Sequence, residues 1–404
     1  MDVIRARIES SGGRITFAEF MELALYHPEH GYYLGKTVRS AREGDFLTAA
    51  ELHPVFGRML AGQLTEMWEI LGRPAGFTMR DYGAGPGTLG LAVLEGLRTD
   101  GSELLETIVY QPIELNPGHR QSLTDRFAGA GFADRLDWAA EADRADRADA
   151  RASRRPEGAR ASRRPEGARV AGAVVANEFL DALPVHRVEG TGGGLRELFV
   201  TWRDGWFVEE SGEPSTLELE AYFERLRIIL APGQHAEVNL AMAGWLDELA
   251  GDLERGYVLV VDYGHLAEEL FSTARAGGTL RAYHAHTAHD DPFRYVGRQD
   301  LTAHLDFTTL PAWARDRGLV PLALTTQARF LVAGGLEGLF AAQRDRPELD
   351  PAAYLALRAS VARLLDPRAL GAFRVLLLGR DVPTDRLPSG FQGTQEPGSG
   401  LSTP

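Results

Sequence analysis

The sequence predicts an α/β fold: a Rossmann-like, mostly parallel sheet, with an N-terminal helical extension and an inserted hairpin and helical cap. Three observations predict it. From residue 78 onward, apolar strand-length runs alternate with helical stripes, the pattern of a parallel sheet covered on both faces. The run at 170–176 is apolar throughout and does not alternate with polar residues, as befits a strand buried on two sides. A glycine-rich turn, Gly83-Ala84-Gly85-Pro86-Gly87, separates the first strand from the next helix, where such folds bind ligands.

Two helices are expected before that turn, within an extension spanning residues 1–72. Thr16-Phe17-Ala18-Glu19 is a capping box, with Ile15 placed to staple against Phe20. Phe17, Phe20, Met21 and Ala24 continue it as one apolar stripe. A turn-rich aromatic stretch follows, Tyr26-His27-Pro28-Glu29-His30-Gly31-Tyr32-Tyr33, and then a polar loop. The second helix starts near Pro54, with Val55, Met59, Leu60, Leu64, Met67, Trp68 and Leu71 on one side.

Thr78 to Tyr82 reads as the strand that carries Asp81 into the glycines Gly83, Gly85 and Gly87, and a helix opens at Thr88. Glycines there let the backbone take left-handed angles and approach a ligand closely. An acidic residue just before them suits a cationic or hydroxyl-bearing ligand. S-adenosylmethionine offers an ammonium, a sulfonium and a ribose. Gly85-Pro86-Gly87-Thr88-Leu89-Gly90 also satisfies G-x-G-x-x-G, so a dinucleotide oxidoreductase is the rival reading. Against it, a pyrophosphate on the helix N-terminus would be repelled by Asp81.

The pattern then continues through 107–115, a strand ending in Glu114, and 170–176, which runs into Asn177-Glu178-Phe179-Leu180-Asp181. Further strands are expected over 256–263, 319–325 and 373–378, the last two pairing antiparallel at one edge. These elements make up a domain over 73–383. Within it, 195–208 reads as a hairpin around Asp204-Gly205. Residues 217–255 look mostly helical, so 190–255 is expected to form a cap. The stretch 141–169 holds a perfect tandem nonapeptide, Arg151–Ala159 repeated at Arg160–Ala168; its composition is that of a solvated, disordered loop. Residues 384–404 are rich in Pro, Gly, Ser and Thr and are also expected to be disordered.

Ligands in open α/β sheets bind outside the carboxyl ends of the strands, which selects Asp81, Glu114, Asn177 to Asp181, and Asp262-Tyr263. A carboxylate at Glu114 can accept both hydroxyls of a ribose. Asn177 and Glu178 bring an amide and a carboxylate to the rim. Glu178 and Asp181 could clamp a guanidinium by bidentate hydrogen bonds and hold it in line with a sulfonium. Capping of the next helix is the structural alternative for this pair. His284, His286 and His289, followed by Asp290 and Asp291, resemble zinc ligands by composition; with no supporting ligand elsewhere, a polar loop beside the acceptor channel is expected and no metal.

Composition narrows the classes. The 404-residue chain has a net charge of −14 and no cysteine, so disulfides and thiolate chemistry are excluded and a broad nucleic-acid footprint is not expected. No apolar run reaches a membrane-spanning length, and the N-terminus carries no apolar signal core. A cytoplasmic protein is expected.

Several segments together resemble a known family. They are 17–21, 26–33, Gly44 to Leu52, the glycine turn, Asn177-Glu178-Phe179-Leu180-Asp181-Ala182-Leu183-Pro184, 261–265, 278–281 and 300–307. In this order they resemble the MidA-type S-adenosylmethionine-dependent methyltransferases, a family that includes the mitochondrial arginine methyltransferase acting as a complex I assembly factor. The resemblance implies a class I methyltransferase fold with S-adenosylmethionine on Asp81, Gly83, Gly85, Gly87 and Glu114. It implies that Asp45 and Thr48 help the N-terminal extension cover the cofactor. Glu178, Asp181 and Asn177 would serve the acceptor, an arginine of a protein substrate, with a respiratory-complex subunit as one candidate. A binding factor of little catalytic activity is the alternative, and a homodimer stays open. Ala50 departs from the family's proline at that position.

Overall fold

Helix α1 (Asp2–Ser10) and the three-residue strand β1 (Arg14–Thr16) come before the first predicted element. Helix α2 (Phe17–Tyr26) starts at the expected capping box: Thr16 Oγ1 accepts from the Glu19 amide, and the Glu19 carboxylate accepts from the Thr16 amide. The structure, a computed structural model, describes residues 1–35, 48–139, 170–344 and 350–393. Asp45 and the repeat-bearing stretch 141–169 lie outside the described residues. Helix α3 (Ala49–Leu52) is one turn with its own capping box, Thr48 with Glu51, and α4 (Val55–Ile70) buries the predicted stripe.

Strand β2 (Phe77–Tyr82) leads through the glycine turn to α5 (Thr88–Asp100), and β3 (Ile108–Ile113) leads to α6 (Pro117–Gly129). Strand β4 (Val170–Asn177) follows. Next come β5 (His186–Thr191), β6 (Gly194–Arg203), β7 (Trp206–Gly212) and β8 (His235–Val238). The chain returns through β9 (Leu253–Asp262) and β10 (Gly264–His265). The hairpin β11 (Arg281–His284) and β12 (Thr287–His289) precedes β13 (Asp300–Thr302) and β14 (Leu305–Asp306). Strands β15 (Val320–Thr326) and β16 (Arg374–Arg380) complete the sequence.

The main sheet has the order β15-β16-β9-β4-β2-β3. Strands β3, β2, β4 and β9 are parallel, and β16 runs antiparallel to both of its neighbours. The carboxyl ends of the four parallel strands therefore open on one rim. The chain moves from β2 out to β3 and back across to β4, so the strand order reverses at β2, the usual place for a ligand crevice. One face packs on α4, α5 and α6 through Leu60, Leu64, Val93, Leu94, Leu123 and Phe127; Trp245, Leu246, Leu249 and Leu310 cover the other.

A second, antiparallel sheet sits beside the first, in the order β1-β6-β5-β8 with β7 on β6. The predicted hairpin is its β6–β7 pair, turning at Asp204 and Gly205 with φ of 53° and 89°, as a two-residue turn between right-twisted strands requires. Three expectations change here. The N-terminal extension is not only helical, because β1 pairs with β6. The helix Ala241–Asp252, expected in the cap, buries Met242, Trp245, Leu246 and Leu249 against the main sheet. The tail expected to be disordered from residue 384 is in part docked: Phe391 is buried with its ring 5.2 Å from Phe330, and Ser389 Oγ donates to Glu66.

Candidate functional site

Strands β2, β3, β4 and β9 each bring an acid to the common rim. Asp81 is the penultimate residue of β2, Glu114 follows β3, Glu178 follows β4, and Asp262 ends β9. Between the first two lies the glycine turn, with φ of 70°, 54° and 76° at Gly83, Gly85 and Gly87. These are angles that side chains with a Cβ resist. A Cβ on Gly85 would meet nothing within 4 Å and so would project into open space. Gly87 instead makes room for packing: a Cβ there would fall 2.6 Å from Leu123 Cγ. Gly90, the last glycine of the dinucleotide-like spacing, is also a packing residue, because a Cβ would lie 2.3 Å from Tyr110 Cζ.

The Tyr110 ring that Gly90 admits reaches across the sheet, and its hydroxyl donates to Asp81 Oδ2 at 2.7 Å. Burial pushes the Asp81 carboxyl up to about 7, with the Glu114 charge adding and the Tyr110 hydrogen bond opposing. Glu114 ties the turn to β3: one oxygen accepts from the Gly85 amide at 2.7 Å and the other from the Asn116 amide at 2.6 Å.

Two adjoining cavities open on this rim. The inner one, about 230 Å³, is lined by Thr48, Asp81, Gly83, Gly85, Asn177, Glu178 and Asp181, among others. The outer one, about 410 Å³, holds Glu114, Ile113, Leu115 and Phe179. Tyr33, Gly83, Gly85 and Glu178 belong to both. The structure thus gathers Thr48, Asp81, Gly83, Gly85, Glu114, Asn177, Glu178 and Asp181 onto one continuous crevice, while Gly87 and Asp262 line neither cavity. Residues absent from the sequence-based set also line its inner part, among them Tyr32, Tyr33, Glu51, Tyr283, Asp300 and Thr302. Tyr263, flagged only by its place after β9, lines it too.

Electrostatically the inner cavity is one-sided. Asp81, Glu178, Asp181, Asp300 and Glu51 line it, and none of its described lining residues is Lys, Arg or His. Glu178 Oε1 accepts from the Ala49 amide at 2.9 Å, while its Oε2 is buried without a hydrogen-bond partner among the described residues. Burial pushes the Glu178 carboxyl up to about 8, with the Ala49 amide opposing and Asp181 and Glu51 adding. Asp181 accepts a hydrogen bond from the Tyr263 hydroxyl, and burial raises its carboxyl to about 6. Behind them Asp262, fully buried, accepts from the Leu180 and Asp181 amides and fixes the β4 exit. Glu178 has φ +49°, a left-handed backbone, and a short 3-10 turn follows at Leu180–Ala182. The capping alternative is thereby replaced by a strained bend that aims Asn177, Glu178 and Asp181 at the cavity.

The histidine segment forms the β11–β12 hairpin. His284 Nδ1 pairs with the Arg298 carbonyl at 2.8 Å, and its ring stacks on Tyr295. Among the described residues no cluster of three His, Cys, Asp or Glu side chains could hold a metal ion, and no helix is long and apolar enough to cross a membrane. The donor chemistry of the rim suits S-adenosylmethionine. A diol has an acceptor in Glu114, an ammonium has one in Asp81, and beyond them lie Asn177 Oδ1 and Glu178 Oε2, which have no hydrogen-bond partner among the described residues.

Comparisons with known proteins agree with that chemistry. The model of a family described as S-adenosyl-L-methionine-dependent methyltransferase matches residues 59–325. A Drosophila melanogaster relative, the mitochondrial homologue of protein arginine methyltransferase NDUFAF7, is 30% identical over 327 residues, covering 78% of this chain and 70% of its own. Human NDUFAF7, also a mitochondrial protein arginine methyltransferase, is 27% identical and covers 94% and 82%. A Burkholderia thailandensis protein solved with S-adenosyl-homocysteine bound is 29% identical, with a TM-score of 0.80 over 98% of this chain and 95% of that one. The curated relatives overturn the expected cytoplasmic location, since both are mitochondrial by name.

Proposed function

The chain belongs to the S-adenosyl-L-methionine-dependent methyltransferase family, and from that premise we propose that it methylates an arginine side chain of a protein through the acidic inner cavity. The observation that carries this reading is the inner cavity itself, lined by five carboxylates and no described cationic side chain. Such a cavity calls for a cation, because carboxylates gathered out of water each disfavour the charge of the others.

When bound, S-adenosylmethionine supplies an electrophilic methyl group on a sulfonium. In this reading the chain's own residues divide the remaining work. Glu114 holds the ribose, Gly83 and Gly85 bring backbone close to the cofactor, Asp81 balances its ammonium, and Thr48 closes the crevice from the N-terminal side. Glu178 and Asp181 orient the guanidinium, with Asn177 beside them. Holding the nucleophile in line supplies most of the advantage in a displacement of this kind. As the nitrogen takes the methyl group it must give up a proton. Glu178, whose carboxyl sits near neutrality through burial, is placed to accept it.

The relatives' names favour arginine over other cations, and a respiratory-complex subunit is the first acceptor to test. The test is transfer of isotopically labelled methyl from S-adenosylmethionine into an extract of cells lacking this gene, followed by residue-level mass spectrometry. Label on arginine of one or a few polypeptides is expected. Label on lysine, histidine or small molecules instead would contradict the arginine reading.

A further inference from the structure

Tyr263, the first residue after β9, is held by the fold at three points. Its amide donates to Asp262 Oδ1 at 2.9 Å, its carbonyl accepts from the Leu305 amide at 3.1 Å, and its ring lies 5.2 Å from the rings of both Phe373 and His304. Its hydroxyl donates to the Asp181 carboxylate, and both residues line the inner cavity. The Asp181 backbone does not depend on that bond. Its amide donates to Asp262 Oδ2 at 3.3 Å, and its carbonyl accepts from the Ala303 amide at 3.0 Å. The phenol therefore acts on the Asp181 carboxyl group and not on the turn that carries it. Around that carboxyl stand Glu178 after β4, Asp262 on β9, and the phenols of Tyr26, Tyr33 and Tyr283, all of which feel its charge. Glu51 bears in turn on Glu178, Asp300 lines the same cavity, and His304 is kept neutral, burial lowering its imidazole to about 4.

Building on the arginine reading above, we propose that Tyr263 is a positioning residue: its hydroxyl fixes the Asp181 carboxylate in the acceptor pocket as the standing anion on which a guanidinium docks. The physical reason is a competition over one charge. Burial works against an ionised Asp181 and raises its carboxyl to about 6, while the Tyr263 hydrogen bond and neighbouring backbone amides pull it back. An O–H donor stabilises the charged form of a carboxyl far more than the neutral one. With Glu178 and Asp262 close by, a carboxyl deprived of that donor keeps its proton to higher pH, and a neutral acid gives a guanidinium no charge to pair with. The packed ring keeps the donor in place before an acceptor arrives.

The proposal is tested by calorimetry on the full chain saturated with S-adenosyl-homocysteine, with ethylguanidinium titrated in at a series of pH values. In the wild type, affinity is expected to rise with pH through a step near 6 as Asp181 ionises, and Asp181→Asn should bind weakly and lack that step. Tyr263→Phe keeps the ring and removes only the donor. Its step should move up by about one pH unit, so that binding is about fivefold weaker than wild type at pH 6 and the loss fades above pH 8. A loss that is the same at every pH is what a merely structural role would give, and it overturns the proposal. Replacing Tyr263 with 3-fluorotyrosine by codon suppression reverses the sign: the more acidic phenol is a stronger donor, and the step should move down. That replacement decides the matter if Tyr263→Phe does not fold. An unmoved step in the deciding variant, or a step that persists in Asp181→Asn, overturns the role of Tyr263 and leaves the arginine reading standing. A wild type that binds ethylguanidinium at no pH overturns the arginine reading and this proposal together.

Discussion

At φ +49° the Glu178 backbone lies in the left-handed region, which costs a residue with a Cβ about 1–2 kcal/mol. The same residue buries a carboxyl whose Oε2 has no partner among the described residues. Stability alone favours neither feature, and strain of this kind collects at functional sites. Burial holds the folded carboxyl at about 8 against an ordinary 4.5. The sign follows: the folded state is favoured while the group is protonated in both states, below about pH 4.5, and that contribution is lost as pH rises towards 8. Glu178→Gln, which removes the charge but not the shape, should therefore raise the ligand-free unfolding midpoint at alkaline pH by about 1 °C for each kcal/mol recovered in a chain of this size. The gain should vanish in acid, and a scan showing no gain on the alkaline side would count against the buried-charge account. Methyl transfer by the same variant should fall by about 100-fold or more. In the wild type, kcat/KM should rise with pH as Glu178 ionises near 8; a profile flat across the neutral and alkaline range would exclude it as the proton acceptor.

At the scale of elements, β2, the glycine turn, α5 and β3 act as one unit. Gly90 on α5 admits the Tyr110 ring from β3, whose hydroxyl holds Asp81 on β2. Gly90→Val would drive a side chain into that ring. It is expected to destabilise the fold by about 1–3 kcal/mol, as overpacking does, and to weaken S-adenosyl-homocysteine binding by freeing Asp81; calorimetry on the folded variant reads the second effect. This unit was legible in the sequence because every part is local: a strand, three glycines and a helix in one run. The second sheet was less legible. Strand β1 is three residues long and pairs with β6 far along the chain, too short for any periodicity to mark it. Helix Ala241–Asp252 shows an apolar stripe, but a stripe does not say which sheet it covers, and the structure puts it on the main one.

For the whole molecule, the crevice is walled by the main sheet, by the separate β12-β11-β13 sheet and by the segment after α2. The main sheet delivers Asp81, Glu114, Glu178 and Asp181 from strand ends, a placement that the topology rule could anticipate. Asp300 and Tyr33 come from β13 and from the segment after α2, and no motif links them. Their pairing is a product of tertiary packing, which is why pattern reading missed them although both lie in segments that carry the family resemblance. The docked tail was missed for a related reason. Its Pro, Gly and Ser content reads as disorder, yet one aromatic anchor, Phe391, and the Ser389–Glu66 hydrogen bonds hold it to α4 and Phe330. Phe391→Ala should cost about 3–5 kcal/mol, measured by chemical denaturation; a loss near zero would mean that the tail contributes nothing to the core. One methyl donor is expected to sit over the glycine turn with its ribose on Glu114. Calorimetric titration of S-adenosyl-homocysteine into the wild type and Glu114→Ala tests it most directly. One site per chain and a loss of about tenfold or more in the variant are expected, whereas equal affinity in the two proteins would rule out Glu114 as the ribose ligand.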